Sequence, residues 1–327
     1  MEAALELLRK IRGAPVLCVG DIMLDRYIYG QATRISPEAP VPVVRVKKRL
    51  IMPGGVGNVV KNIGSLGAVP RTVSLAGDDR RREQLIGLLT EAGLPEPDLI
   101  IDPQRPTSIK TRIIAGIQQV VRFDEEDERP VDGHIADQLI ERVKALLPKA
   151  GSMALSDYGK GTLPREVTGR LIDLARAAGR PVIVDPKGAD YHRYRGATVV
   201  TPNRPELSAA AGRQLETAAD LRQAGREVME NCGLENLLIT RSEDGMMLLY
   251  GDSSIPPAVL PSQARAVFDV SGAGDTVVAV MAAALAVGAP LEVGARLANL
   301  AAGVVVGKVG TATATEEEIT AWAEGIY

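Results

Sequence analysis

Short apolar, β-rich runs alternate with longer amphipathic stretches along most of this 327-residue chain. Val16-Leu-Cys-Val19 has the pattern of a buried strand and ends in Gly20-Asp21. Residues 154–156, 182–185, 198–201 and 237–240 repeat that pattern, while 164–178 and 218–231 carry the spacing of helices that bury one face. Strands and helices in alternation predict an α/β fold, a mostly parallel sheet covered by helices on both sides. In such sheets ligands gather beyond the carboxyl ends of the strands. Those ends here hold Asp21, Asp157, Asp185 with Lys187, Asn203 and Thr240. One shared crevice is predicted.

Two segments break the rhythm. Residues 41–46, and 107–114 continuing to 120–123, have strand patterns with no helix between them. They are expected to pair as a small antiparallel sheet projecting from the main body; an ordinary edge hairpin is the other arrangement the pattern allows. No internal repeat, low-complexity linker or long charge block interrupts the chain. Residues 1–327 are therefore read as one domain, with the acidic stretch 124–129 as a solvated turn.

Composition narrows the function. Hydrophobic residues make up 46% of the chain but aromatics only 3%, so the core is built of Ala, Val, Leu and Ile. Few aromatics leave no stacking platform for single-stranded nucleic acid. A formal net charge of −3 also lacks the cationic excess that a phosphate backbone requires. A small anion remains admissible, because it needs only two or three local cations. Cys18 and Cys232 are too few for a disulfide framework or a four-ligand zinc site and read as buried free thiols. The two histidines, His134 and His192, sit in charged or polar surroundings, which turns the search for a general base towards carboxylates. The amino terminus lacks the apolar core of a signal peptide. The longest apolar run, 277–287, is shorter than the ~20 residues of a membrane span. A cytoplasmic protein with no membrane or nucleic-acid partner is expected.

The chemistry concentrates at Gly272-Ala-Gly274-Asp275, which opens a long segment of small apolar residues. A glycine turn running into a helix aims backbone N–H groups at one point with the helix dipole behind them. Glycine also lets the backbone approach a phosphate closely. An acid at that turn repels phosphate and cannot bind it, but it suits a base that takes a proton from a hydroxyl attacking beside the phosphate. No Gly-Lys-Ser/Thr follows, so the turn is not a Walker A loop. It also lacks the third glycine and the preceding strand of a dinucleotide fingerprint.

Asp269-Val-Ser-Gly-Ala-Gly-Asp275 resembles the Asp-Thr-x-Gly-Ala-Gly-Asp signature of ribokinase-type (PfkB) sugar kinases. Gly54-Gly-Val-Gly-Asn58 resembles their amino-terminal sugar-binding glycine segment, and Asn203-Arg-Pro-Glu206 their Asn-x-x-Glu motif. Thr240-Arg-Ser-Glu-Asp-Gly245 is similar to the strand and turn that lie against the nucleotide. Four motifs in order span nearly the whole chain. They imply a three-layer, nine-stranded αβα sandwich with a small β lid, here from about 33–52 and 106–124. A narrower resemblance rests on Gly20-Asp-Ile-Met-Leu-Asp25, Ser36-Pro-Glu-Ala-Pro-Val41, Ser156-Asp-Tyr-Gly-Lys-Gly161 and Asp185-Pro-Lys-Gly188. Together these look like kinases of D-glycero-D-manno-heptose 7-phosphate, which form the 1,7-bisphosphate on the way to ADP-heptose and lipopolysaccharide core. Some such kinases are fused to an adenylyltransferase with a His-x-Gly-His motif; this sequence has none, and a stand-alone kinase is expected. Val56-Gly57 and Val270-Ser271 depart from the commoner residues of the two glycine motifs, which bears on the fine shape of the sugar pocket.

The resemblance implies roles. Asp275 is the base for the anomeric hydroxyl, with Gly272, Ala273 and Gly274 giving backbone donors to the transferred group. Asp25, Gly54, Gly55, Asn58 and Asp157 hold the sugar. Arg34, Lys110, Arg112 and Lys160 are the cations for its phosphate, and Lys110 and Arg112 share one strand face by the period of two. ATP and Mg²⁺ fall to Asn203 and Glu206, with Glu206 acting through metal-bound water. The same pair also suits a helix start with Asn203 as its cap. Lys187 reaches a phosphate; Thr240, Ser242, Glu243 and Gly245 line the nucleotide, and Asn299 the adenine. Asp269 and the Gly310 loop mark a monovalent cation site such as one for K⁺. A homodimer through the lid is expected from its apolar strands. The competing functions are another sugar, sugar-phosphate or nucleoside kinase of this type, a sugar-phosphate-binding regulator without catalysis, and a dinucleotide-dependent oxidoreductase.

Overall fold

A computed structural model describes residues 1–326. Strands and helices are numbered in chain order. Nine strands form the main sheet, in the order β13 (Ala258–Leu260), β12 (Met246–Leu249), β11 (Leu237–Thr240), β10 (Val199–Val200), β9 (Val182–Asp185), β8 (Ser152–Ser156), β1 (Pro15–Gly20), β4 (Val69–Ala76) and β5 (Asp98–Ile101). Pairing is parallel from β11 to β5 and antiparallel only at β11–β12 and β12–β13. The predicted strands are all present, to within two residues at each end. Those at the sheet margins, β4, β5, β12 and β13, were not expected from the pattern.

Alternation along each strand feeds two cores. Val16 and Cys18 of β1 face one side with Ala154 and Ile183, packed under α1 (Glu2–Lys10), α2 (Val56–Ser65), α3 (Arg80–Glu91), α8 (Ala273–Ala286), α9 (Leu291–Val305) and α10 (Glu316–Ala323). Leu17 and Val19 face the other with Met153 and Val184, under α4 (Gly133–Leu146), α5 (Arg165–Ala177), α6 (Arg204–Ala211) and α7 (Ala218–Cys232). Sheet residues buried on both faces read as continuous apolar runs, which is why those strands were legible. Helix α8 is buried from Asp275 to Ala284. Its residues are small enough to lie flat on the sheet, and this fixes its amino terminus over the strand ends. No helix of the described residues is long and apolar enough to cross a membrane.

A second sheet of four strands, β3 (Pro42–Gly55), β2 (Ile22–Ile35), β6 (Ile109–Ala115) and β7 (Gln118–Glu125), stands off the first. It is the expected lid, with a different pairing. The two segments read as lid strands do not touch each other; β2 lies between them, antiparallel to β3 and parallel to β6. Strand β2 begins only two residues after β1 ends, and so joins the lid directly to an interior strand of the main sheet. Its opening residues, Ile22 to Tyr27, mix apolar and charged positions and lacked the alternation that marks a strand.

Candidate active site

Strand order reverses at β1: β4 and β5 follow on one side, β8 to β11 on the other. The crevice at that switch point is where open α/β sheets collect ligands. Asp275 lies there in the first turn of α8, 3% exposed. Its Oδ2 accepts a hydrogen bond from Asn58 Nδ2 at 2.7 Å, and its Oδ1 one from the Tyr158 hydroxyl at 2.8 Å. Burial pushes its acidity to about 6; the Asn58 and Tyr158 donors hold it down and the Asp25 carboxylate pushes it up. A carboxylate so tuned is ionised at neutral pH yet basic enough to take a proton. Gly272 precedes the helix at φ 80°, and a Cβ there would lie 2.6 Å from Asn58 Nδ2. Only glycine admits both the turn and the amide behind it.

In front of Asp275 opens a cavity of about 380 Å³ lined by Asp25, Gly55, Lys110, Arg112, Lys160 and Gly272 among others. Asp25 is buried and paired with Arg112. Gly54 lies against it, since a Cβ at Gly54 would come 2.2 Å from Asp25 Oδ2. Lys110 Nζ bridges Asp124 at 2.9 Å and Glu126 at 2.7 Å; Lys160 Nζ meets Glu126 at 2.6 Å and also pairs with Glu128. The acidic stretch read as a solvated turn thus neutralises two of the cations, and only its exposed members fit that reading.

Two further cavities continue the crevice. One of about 130 Å³ is lined by Asp157, Asp185, Lys187, Asn203, Glu206 and Gly274, among others. Its acids crowd one another: burial first, and then Asp275, Glu206 and Asp157, hold Asp185 well above the carboxylate range. Glu206 is also raised by burial, against the pull of Asn203 and Lys187. Hard oxygen donors in mutual repulsion are a donor set suited to Mg²⁺. Among the described residues no three His, Cys, Asp or Glu side chains lie close enough to ligate an ion together. Asn203 caps α6 in a reciprocal box with Glu206. The next cavity, about 360 Å³, is lined by Thr240, Ser242, Glu243, Gly245, Ala273, Gly274 and Asn299, and by the segment 262–270. Sharing Asn203, Thr240 and Gly274 with its neighbour, it completes one trough from lid to β12 edge.

Some expected residues stand elsewhere. Arg34 is exposed near the outer end of β2, about 30 Å along the strand from Asp25; a strand of 14 residues carries it away from the cavity. Asn58 is fully buried and turned to Asp275, so it does not line the cavity in front of that carboxylate. Asp157 lines the bridging cavity, where its oxygens accept from Tyr194 and Gly159 and pair with Arg193. Asn299 does line its expected cavity, with its amide donating to the Pro261 carbonyl at 2.7 Å. Asp269 does meet the Gly310 loop: its oxygens accept N–H groups of Ser271 and Gly310, each at 2.9 Å. The cavity linings also include residues outside the expected set, among them Arg122 and Tyr158. Arg122 pairs across the hairpin with Arg112 because a bulge between Ile113 and Ile114 shifts the register by one; the turn at Gly116 alone would have set Val121 there. Tyr158 lay within a quoted motif, but its reach to Asp275 has no signal in the sequence.

The pfkB family carbohydrate kinase model matches residues 14–318. The Bifunctional protein HldE of Paramagnetospirillum magneticum is 52% identical over 98% of this chain, and that of Rhodospirillum rubrum 49% identical over 98%. The chain spans only 65% and 64% of those proteins' lengths. Among solved structures, phosphofructokinase-2 from Escherichia coli in complex with potassium superposes with a TM-score of 0.78 at 21% identity, covering 96% of this chain and 99% of that one. Arabidopsis thaliana ribokinase complexed with ribose and ATP gives 0.74 at 20% identity, covering 95% and 98%. At such identities the two structures establish the ribokinase-like fold.

Proposed function

The chain belongs to the pfkB family of carbohydrate kinases, and from that premise we propose that it phosphorylates the anomeric hydroxyl of D-glycero-D-manno-heptose 7-phosphate with ATP. The observation that carries the reading is the buried Asp275 carboxylate, which lines a cation-bearing cavity while its helix neighbours Ala273 and Gly274 line a second one. The sugar sits beside Asp25, Gly54 and Gly55. Its phosphate is held by Lys110, Arg112 and Lys160 with Arg122, the planar forks of the arginines suiting phosphate oxygens. Asp275 takes the proton of the anomeric hydroxyl while that oxygen bonds to the γ-phosphorus and the bond to ADP breaks. Backbone N–H groups of Gly272 and Gly274, with that of Ala273 once it leaves the Val270 carbonyl it meets at 3.3 Å, would face the transferred group, and catalysis is mainly positioning and charge stabilisation. Mg²⁺ would be held near Glu206 through water, and when bound it neutralises charge on the nucleotide phosphates.

The nucleotide occupies the cavity between Thr240 and Asn299, with Lys187 at its phosphates. Asn299 acts there by holding the 261–268 segment through Pro261. Losing one such hydrogen bond, of about 1 kcal/mol, should raise the ATP KM of Asn299→Ala roughly fivefold with kcat little changed; initial rates at varied ATP measure this. A monovalent cation such as K⁺ at Asp269 and the Gly310 loop belongs to the same proposal. So does a cytoplasmic homodimer through the lid, whose Val41, Val46, Val120, Val121 and Phe123 are exposed. The product serves ADP-heptose and lipopolysaccharide core synthesis. Product analysis with ATP tests the substrate. The 1,7-bisphosphate should form from the heptose 7-phosphate far faster than any product from fructose 6-phosphate, ribose or unphosphorylated heptose. Equal rates on an unphosphorylated sugar would remove the assignment.

A further inference from the structure

We infer that Tyr158 is a positioning residue for the base: its phenol and the Asn58 amide clamp the Asp275 carboxylate, one on each oxygen, and Asp21 sets both donors in register. The inference rests on Asp275 being the base. Asp21 ends β1 at the switch point and is 1% exposed. Its Oδ2 accepts the backbone N–H of Tyr158 at 2.8 Å and of Lys160 at 3.0 Å, and its Oδ1 that of Thr162 at 3.0 Å. Its own N–H donates to the Ser156 carbonyl, and its carbonyl accepts the N–H of Val56, the first residue of α2. One buried residue therefore fixes both the loop that carries Tyr158 and the helix that carries Asn58.

The Tyr158 hydroxyl is committed to Asp275, although its half-buried ring lies where the sugar-side and bridging cavities meet. Burial, with the Asp275 and Asp185 carboxylates, holds the phenol well above its ordinary range, so it stays protonated and donates. Two donors use one lone pair on each carboxylate oxygen, which fixes the rotamer and favours the ionised form. The other charged groups facing Asp275 are Asp25 of β2, Lys110 and Arg112 of β6, Arg122 of β7, Lys160, Asp185 at the end of β9 and Lys187 beyond it. Five of them are cations and two are carboxylates. Among the described residues, only Tyr158 and Asn58 hydrogen-bond the carboxylate through their side chains.

The test is the carboxyl ¹³C titration of Asp275 in the substrate-free protein, its signal assigned by loss in Asp275→Asn. In Tyr158→Phe the midpoint should rise from near 6 by about one pH unit, the loss of a hydrogen bond to a charged group being partly offset by water. The acid limb of kcat/KM for the heptose phosphate should rise with it, and the rate deficit should narrow as pH increases. A merely structural tyrosine would give a deficit independent of pH. An unmoved carboxyl midpoint overturns the inference. A midpoint that rises while the acid limb stays puts the rate-limiting ionisation on another group, and the reading of Asp275 as base falls with it. If Tyr158→Phe does not fold, 3-fluorotyrosine at position 158 keeps the size and is a stronger donor. The midpoint must then fall, and one that stays or rises overturns the inference.

Discussion

Asp275→Asn is expected to lower kcat by about 10²–10⁴, the usual contribution of a positioned general base. The substitution keeps size and shape, and the amide oxygen can still accept from Asn58 or Tyr158, so the fold and the sugar KM should hold. Taking an ionised group out of a buried position removes a desolvation cost, so the variant's melting temperature should equal or exceed that of the parent. A rate that survives the change would remove the base from the mechanism. The pH profile supplies a second readout. With the carboxyl acidity lifted to about 6, Asp275 is protonated below that pH and cannot accept the hydroxyl's proton. The kcat/KM of the parent should therefore fall tenfold for each pH unit below about 6, and the residual rate of Asp275→Asn should lack that limb.

Gly55→Ala should be the most damaging single methyl group in the crevice. Strand β3 runs into α2 with no loop, and Gly55 makes the corner at φ 58° and ψ −135°. An alanine there incurs a left-handed penalty of about 1–2 kcal/mol. Its Cβ would also lie 2.2 Å from the Asp21 carbonyl and 3.0 Å from Met23 Cε. That carbonyl accepts the first N–H of α2 and belongs to the end of an interior strand, so it cannot withdraw. Overlap of this kind adds about 1–3 kcal/mol. A fall in melting temperature of roughly 4–10 °C is expected by calorimetry. Helix α2 must shift, and Asn58 with it. Displacing a catalytic group by about 1 Å can cost 10²-fold, so kcat should drop by about that factor in the protein that remains folded. A Gly87→Ala control in the interior of α3, where no atom lies within 4 Å of the new methyl group, should leave kcat unchanged and raise the melting temperature slightly, alanine being the better helix former by about 1 kcal/mol.

How much of this was legible depended on sequence distance. Buried strands declare themselves as apolar runs, and β1, β8, β9 and β11 matched the pattern because both faces of each are covered. The marginal strands β5 and β13 were missed because they are short and only partly buried. In the lid, the pattern located residues that form strands but not their partners. Pairing is set by chain direction: β2 leaves β1 within two residues and takes the central place, separating β3 from β6.

The same division runs through the site. The sequence by itself determined the α/β layering, the glycine turn ahead of Asp275 and the placing of acids and amides at strand ends. Each of these is a local matter of hydrophobic period, positive φ or residue type. Only the tertiary structure decided which side chains meet across the crevice. Asn58 lies 217 residues from Asp275 and Tyr158 lies 117 away, yet each holds one of its oxygens. Arg34 appeared to be a phosphate cation and is carried to the far end of a long strand, while Arg122 takes a place in the cavity through hairpin register. A side chain's chemistry is written in its residue type. Its partner is set by strand order and helix placement, which depend on burying both faces of the sheet at once and so cannot be read from any one segment.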